Sequence, residues 1–155
     1  MANTITKLLE QKAIRLQLDA QDSTQVITTL GNLLFEAGHV HSSFVKGALE
    51  RESKLPTGLV LGGDINAAIP HTDIEHVIRP ALAMATLKNP VMFRNMVDSQ
   101  EEVPVRIAFV LALKEPHQQI EMLQEVAGVL QDAKVIDALM AAKTVEEVMV
   151  VFEKA

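Results

Sequence analysis

The spacing of apolar side chains divides the chain into alternating strand and helix. Between Ala13 and Leu18, Ile14, Leu16 and Leu18 alternate with Arg15 and Gln17, the period-two pattern of a half-buried strand. Asp22 and Ser23 then offer an N-cap to a helix carrying Val26, Leu30, Leu33, Leu34 and Ala37, and Gly38 suits its C-terminal cap. A second helix is predicted from about Ser42 to Lys54, burying Phe44, Val45, Ala48 and Leu49, with Pro56 and Gly58 breaking the pattern. Two short apolar runs, Leu59–Leu61 and Asn66–Ile69, flank Gly62-Gly63-Asp64 as the strands of a hairpin.

Pro80 to Leu87 and Val105 to Leu113 read as further strands. The first sets Ala81, Ala83 and Ala85 against Leu82, Met84 and Thr86, so one face is small enough for a helix to lie close. The second is nearly all apolar, as expected of a central strand covered on both sides. The last third is helical. One stripe is Ile120, Leu123, Ala127 and Leu130, and a second is Val135, Ile136, Leu139 and Met140. A third, Val145, Val148, Met149 and Phe152, is opened by Thr144 and Glu147 as a capping box. No long-period repeat, low-complexity segment or linker interrupts the pattern. Residues 1–155 are therefore expected to form a single α/β domain, a mixed β-sheet covered by helices on both faces with a helical C-terminal third.

Composition narrows the chemistry. The 155 residues are 48% apolar and 22% charged, ample for a core. Cys is absent, which excludes a thiolate nucleophile, a zinc–thiolate site, an iron–sulfur cluster and a disulfide. Phe is the only aromatic, at 3%, and the net charge is -6, which together argue against nucleic-acid binding. The stretch from Met1 to Gln11 shows no basic segment followed by an apolar one, so no signal peptide is expected. The longest strongly apolar run, Ile107 to Leu113, is far short of the roughly 20 residues of a membrane helix. A cytoplasmic protein without direct membrane insertion is expected.

Five histidines remain as candidate nucleophiles. His71 follows an apolar strand and Pro70, which fixes its own φ and holds Ile69 extended, so the histidine is presented at the strand's tip. Thr72 and Glu75 read as a capping box opening a short helix, an environment suited to an anion. A neutral imidazole is a good nucleophile at neutral pH, so a phosphorylatable histidine fits here, as does a histidine that simply ends a strand. Asp73 and Glu75 carry the wrong sign for a phosphate.

His117 stands at another strand exit and helix start, in Glu115-Pro116-His117-Gln118-Gln119, where α/β folds place ligands; an ordinary first-turn polar role is the alternative. His39 and His41, in a helix connection, read as capping or exposed, and His76 as surface. Arg51 lies in a charged run, Glu50-Arg51-Glu52, on the exposed side of the second helix just before the chain turns into the hairpin that delivers His71. A guanidinium there could hold phosphate oxygens in a fork.

These segments together resemble the enzyme IIA domains of the bacterial sugar phosphotransferase system, in the fructose/mannitol/nitrogen-regulatory/galactitol branch. The resemblance spans nearly the whole chain. It is carried by Ala48-Leu49-Glu50-Arg51-Glu52, Pro56-Thr57-Gly58-Leu59, Ala68-Ile69-Pro70-His71 and Phe109-Val110-Leu111-Ala112-Leu113. Pro56-Thr57-Gly58, with Gln118-Gln119 after Pro116, looks nearest to galactitol-type members.

The resemblance implies that His71 is the phosphorylated nucleophile, that Arg51 stabilises the phosphate charge and that His117 is a second histidine hydrogen-bonding the phosphate. Galactitol-type members can lack that second histidine. Thr72, in the substrate-binding position, replaces the small residue or Cys usual there, and Ala67 replaces a larger aliphatic. The implied partners are the phosphocarrier HPr as donor, a sugar-specific enzyme IIB whose cysteine accepts, and the membrane component IIC. No metal or other cofactor is implied. Since this chain lacks Cys, the acceptor would lie on another polypeptide, the chain being a stand-alone IIA or a piece of a fusion. Two other functions remain open: a regulatory relative whose histidine phosphorylation controls partner binding, and a metal-dependent hydrolase using His71, Asp73, Glu75 and His76.

Overall fold

The computed structural model describes residues 3–155. The leader expectation begins at Met1 and Ala2, which lie outside the described residues. In chain order the elements are α1 (Asn3–Leu8), β1 (Leu9–Leu18), α2 (Ser23–Glu36), α3 (Phe44–Lys54), β2 (Gly58–Leu59) and β3 (Asn66–Ala68). A 3-10 turn at Ile74–His76 precedes β4 (Ala81–Arg94), β5 (Glu102–Ala112), α4 (Pro116–Val129), α5 (Ala133–Ala141) and α6 (Val145–Lys154). The strands form one mixed sheet in the order β1-β4-β5-β3-β2, with β1–β4 and β3–β5 parallel and β4–β5 and β2–β3 antiparallel. Helices cover both faces, so the expected α/β architecture is the observed one.

Side-chain alternation on β4 and β5 separates two cores. Leu82, Met84, Ile107, Phe109, Leu111 and Leu113 face one way, into a layer that includes Ile5 of α1, Met122 and Val126 of α4, Leu139 of α5 and Phe152 of α6. Phe109 and Phe152 meet there edge to face, with ring centroids 5.7 Å apart. The opposite face carries Ala81, Ala83, Ala85, Ala108, Val110 and Ala112 under α2 and α3, whose Val26, Ile27, Leu30, Leu34, Phe44 and Ala48 fill the second core. The small face predicted on β4 is thus where α2 packs.

Local signals act as their chemistry suggests at several helix ends. Asp22 caps α2 by accepting from the Gln25 amide, and Gly38 adopts φ 84 just past its end, where the Gly38 and His39 amides return to Phe35 and Leu34 carbonyls. Thr144 caps α6 by accepting from the Glu147 amide, and the Glu147 carboxylate takes the Lys143 amide in return.

Three expectations need correction, and one element gave no signal. The Thr72–Glu75 capping box does not form: Thr72 is buried, the N-cap of the one-turn 3-10 segment is Asp73, and Asp73 makes no side-chain cap bond. On α4 the buried stripe is Met122, Val126 and then Leu130, with Leu123 and Ala127 half-buried and Ile120 on the surface. β4 runs on to Arg94, because Lys88-Asn89-Pro90 is an irregularity within the β4–β5 ladder and pairing resumes at Val91 opposite Val105. Finally, the pattern gives no hint of α1.

Candidate active site

His71 is held by the two strands that flank its approach. The Ile69 amide donates to the Thr57 carbonyl at 3.2 Å, and the Leu111 amide of β5 donates to the Pro70 carbonyl at 2.9 Å. Pro70 has no amide hydrogen of its own to satisfy, so its ring can lie buried between these bonds without cost. The chain therefore leaves β3 pinned on both sides, and His71 makes an isolated parallel bridge with Leu111.

The imidazole is only 6% exposed. Its Nδ1 lies 3.0 Å from the Ile69 carbonyl oxygen. A carbonyl can only accept, so Nδ1 carries the hydrogen and Nε2 keeps its lone pair. Nε2 has no hydrogen-bond partner among the described residues. Burial holds the imidazole below the ordinary histidine pKa; the Ile69 carbonyl opposes this, the Arg51 charge adds to it, and Asp73 opposes it. At neutral pH the ring is thus a neutral base and nucleophile with a fixed tautomer.

The ring forms part of the wall of an open cavity of about 430 Å³, with Arg51, Lys54, Thr57, Met96, Val97 and Leu123 among its other walls. These come from the end of α3, the entry to β2, the β4–β5 turn and α4. Arg51 is half-buried rather than on an exposed helix face, and also borders a second depression with Gly47, Thr72, Asp73, Glu75 and His76. Its Nη1 lies 3.5 Å from Asp73 Oδ1, and its buried Nε has no hydrogen-bond partner. A buried guanidinium hydrogen without an acceptor is costly, and the guanidinium that carries it borders the cavity as a cation suited to an anion.

Residues 7–155 match the family described as "Phosphoenolpyruvate-dependent sugar phosphotransferase system, EIIA 2". The chain belongs to that family. Among curated relatives, the galactitol-specific EIIA component of Escherichia coli (strain K12) is 28% identical over 127 residues, covering 82% of this chain and 83% of its own. Among solved structures, the nitrogen regulatory protein IIA-Ntr of Neisseria meningitidis is 25% identical with a TM-score of 0.79, covering 97% of this chain and 99% of that one. E. coli enzyme IIA mannitol, solved as a complex with phosphorylated enzyme IIB, shares the fold at 24% identity and a TM-score of 0.77, covering 95% and 98% of the two chains.

In this EIIA chain the expected site residues are not all neighbours. His71 and Arg51 share one cavity. Thr72 is buried behind Arg51, bordering the second depression, and its carbonyl accepts from the Gln119 amide side chain at 2.9 Å. His117 is not among the cavity walls: its side chain is 84% exposed on the first turn of α4, 3.4 Å from Glu121. His76, expected at the surface, is half-buried, with Nδ1 2.8 Å from the Ser43 hydroxyl. His39 is likewise half-buried and bonds Glu10 at 2.7 Å, while His41 is exposed. Among the described residues, no group of three or more His, Cys, Asp or Glu side chains is placed to hold a metal ion. No helix among them is long and apolar enough to cross a membrane.

Residue types alone did not single out Glu52, Thr57 or Gln119. Glu52 accepts from both the amide and the hydroxyl of Thr57, a cavity wall. Its signal was hidden in a charged run that reads as a solvated helix face.

Proposed function

We propose that this EIIA chain is a cytoplasmic phosphoryl carrier: Nε2 of His71 accepts a phosphoryl group from phospho-HPr and passes it to the cysteine of a sugar-specific enzyme IIB. The membrane component IIC would then use it to phosphorylate sugar during uptake. The observation that carries this reading is the bond from Nδ1 of His71 to the Ile69 carbonyl, which leaves Nε2 unprotonated on a residue that lines one cavity with Arg51.

The step balances without metal or nucleotide. The Nε2 lone pair attacks phosphorus, the N–P bond of the donor breaks, and the donor nitrogen recovers its pair. The proton stays on Nδ1, donated to the Ile69 carbonyl, so the phosphorylated ring carries a positive charge that keeps the new N–P bond easy to break. Arg51, with an unpartnered Nε, offsets charge on the phosphoryl oxygens in flight. Thr72, tied to α4 through Gln119, fixes the backbone that follows the nucleophile. A role for His117 as second histidine requires its exposed ring to turn toward the cavity once a partner covers the site.

Incubated with phosphoenolpyruvate, enzyme I and HPr, the chain is expected to gain one acid-labile phosphoryl group. His71→Ala abolishes the label, and His117→Ala keeps it at a reduced rate. An unchanged stoichiometry in His71→Ala would sink the assignment.

A second reading, a regulatory protein whose phosphorylation controls partner binding, is favoured by the likeness to IIA-Ntr along nearly the full length of both chains. Label that moves from the phosphorylated chain to a IIB cysteine supports transport. Label that is retained while partner affinity changes supports regulation.

A further inference from the structure

Asp73 stands two residues past His71 and faces the same guanidinium. Its Oδ1 is 3.5 Å from Arg51 Nη1, with the Asp73 side chain 69% and the Arg51 side chain 33% exposed. That separation is too long for a good hydrogen bond, so charge rather than a formed bond links the two side chains, and Arg51 Nε is unpartnered. Arg51 and Asp73 act on the imidazole with opposite sign, so both lie within electrostatic reach of it. The depression that Asp73 borders also holds Glu50 and Glu75 against Lys54 and His76, so no excess of positive charge there neutralises it.

We propose that Asp73 tunes the phosphoryl site: it competes with phosphorylated His71 for Arg51 and repels the phosphoryl dianion. The phosphorylated form is thereby kept less stable than a site with Arg51 alone would make it, and its group more readily passed on. The inference rests on His71 being the acceptor and adds what sets the poise of that acceptor. Asp73 touches neither substrate nor the reacting atoms in this scheme; it acts through Arg51 and through its field.

The test is an equilibrium. The full chain is mixed with a limited pool of phospho-HPr, without excess phosphoenolpyruvate, and the phosphoryl group is quantified on each protein. An exposed carboxylate at this distance changes such an equilibrium by up to about fivefold. Asp73→Asn is expected to shift the group toward this chain by about three- to fivefold at low salt, the shift shrinking as ionic strength approaches about 1 M. Asp73→Glu, which keeps the charge, should stay near wild type. Asp73 makes no side-chain cap bond, so the Asn variant is expected to fold. No shift, a shift toward HPr, or a shift indifferent to salt overturns the role of Asp73 while leaving His71 as acceptor intact. Wild-type chain that takes no label on His71 overturns both.

Discussion

Glu52 holds Thr57 at two points, its carboxylate oxygens accepting from the Thr57 amide and hydroxyl, each at 2.8 Å. Thr57 in turn accepts from the Ile69 amide, and Ile69 orients the His71 ring, so a carboxylate on α3 anchors the floor of the cavity. Glu52→Ala leaves two buried donors unsatisfied and is expected to lower unfolding free energy by about 1–3 kcal/mol, read from urea denaturation. Glu52→Gln, with one acceptor oxygen, should fall between the two. A wild-type midpoint for Glu52→Ala would mean that water replaces the carboxylate.

Burial lowers the His71 pKa, with the Arg51 charge contributing and the Ile69 carbonyl and Asp73 opposing. With the folded value below the unfolded one, the unfolded chain takes the proton first as pH falls. The resulting stability is complete above about 6.5 and is lost as pH drops through the folded value. The difference in unfolding free energy between wild type and His71→Asn should therefore move against wild type on acidification from pH 7. The phosphorylation rate should hold level above about pH 6.5 and decline below the folded value. A His71 ring that titrates by NMR above the ordinary histidine value of about 6.5 would contradict both.

Arg51→Ala should slow phosphoryl transfer by at least about tenfold, the scale of a lost charged donor at a developing anion, with little change in melting temperature. Arg51→Lys should recover only part of the rate, since an ammonium lacks the planar fork. Full recovery by Lys would reduce the role of Arg51 to charge alone.

Gly58 is placed where a side chain cannot go. A Cβ there would lie 2.5 Å from the Arg94 carbonyl oxygen, a backbone atom of β4. Gly58→Ala should cost about 1–3 kcal/mol or more, and Gly62→Ala, with nothing within 4 Å of its Cβ, should cost far less. Equal thermal shifts for the two variants would contradict this packing.

Most strands and helices were legible because each follows from near neighbours. Period-two alternation in Ile14–Leu18 and the small face of Ala81, Ala83 and Ala85 describe a surface before its partner is known. What failed depends on distant partners. On α4, Ile120-Leu123-Ala127 and Met122-Val126 are equally apolar at helical spacing, and only burial in the core that α4 shares with α1 and the sheet selects the second. Thr72 and Glu75 have capping spacing, but Thr72 is buried beside Gly47, whose Cβ would lie 2.9 Å from its hydroxyl, and so is spent on packing. Arg51 was recognised by type but misplaced in depth, because the β4–β5 turn that helps enclose its cavity arrives from more than forty residues away. Gln119 reaches Thr72 across 47 residues, a distance no local pattern encodes.

The cavity around His71 has walls from α3, the approach to β2, the β4–β5 turn and α4, so no contiguous stretch of chain contains it. A nascent or partly melted copy would still present an imidazole, but one with neither a fixed tautomer nor an opposing guanidinium. Such a copy would be a poor sink for high-energy phosphate, and the relay would spend its donor only on molecules that have finished folding. Under the proposed function, phosphate uptake would double as a measure of conformational integrity.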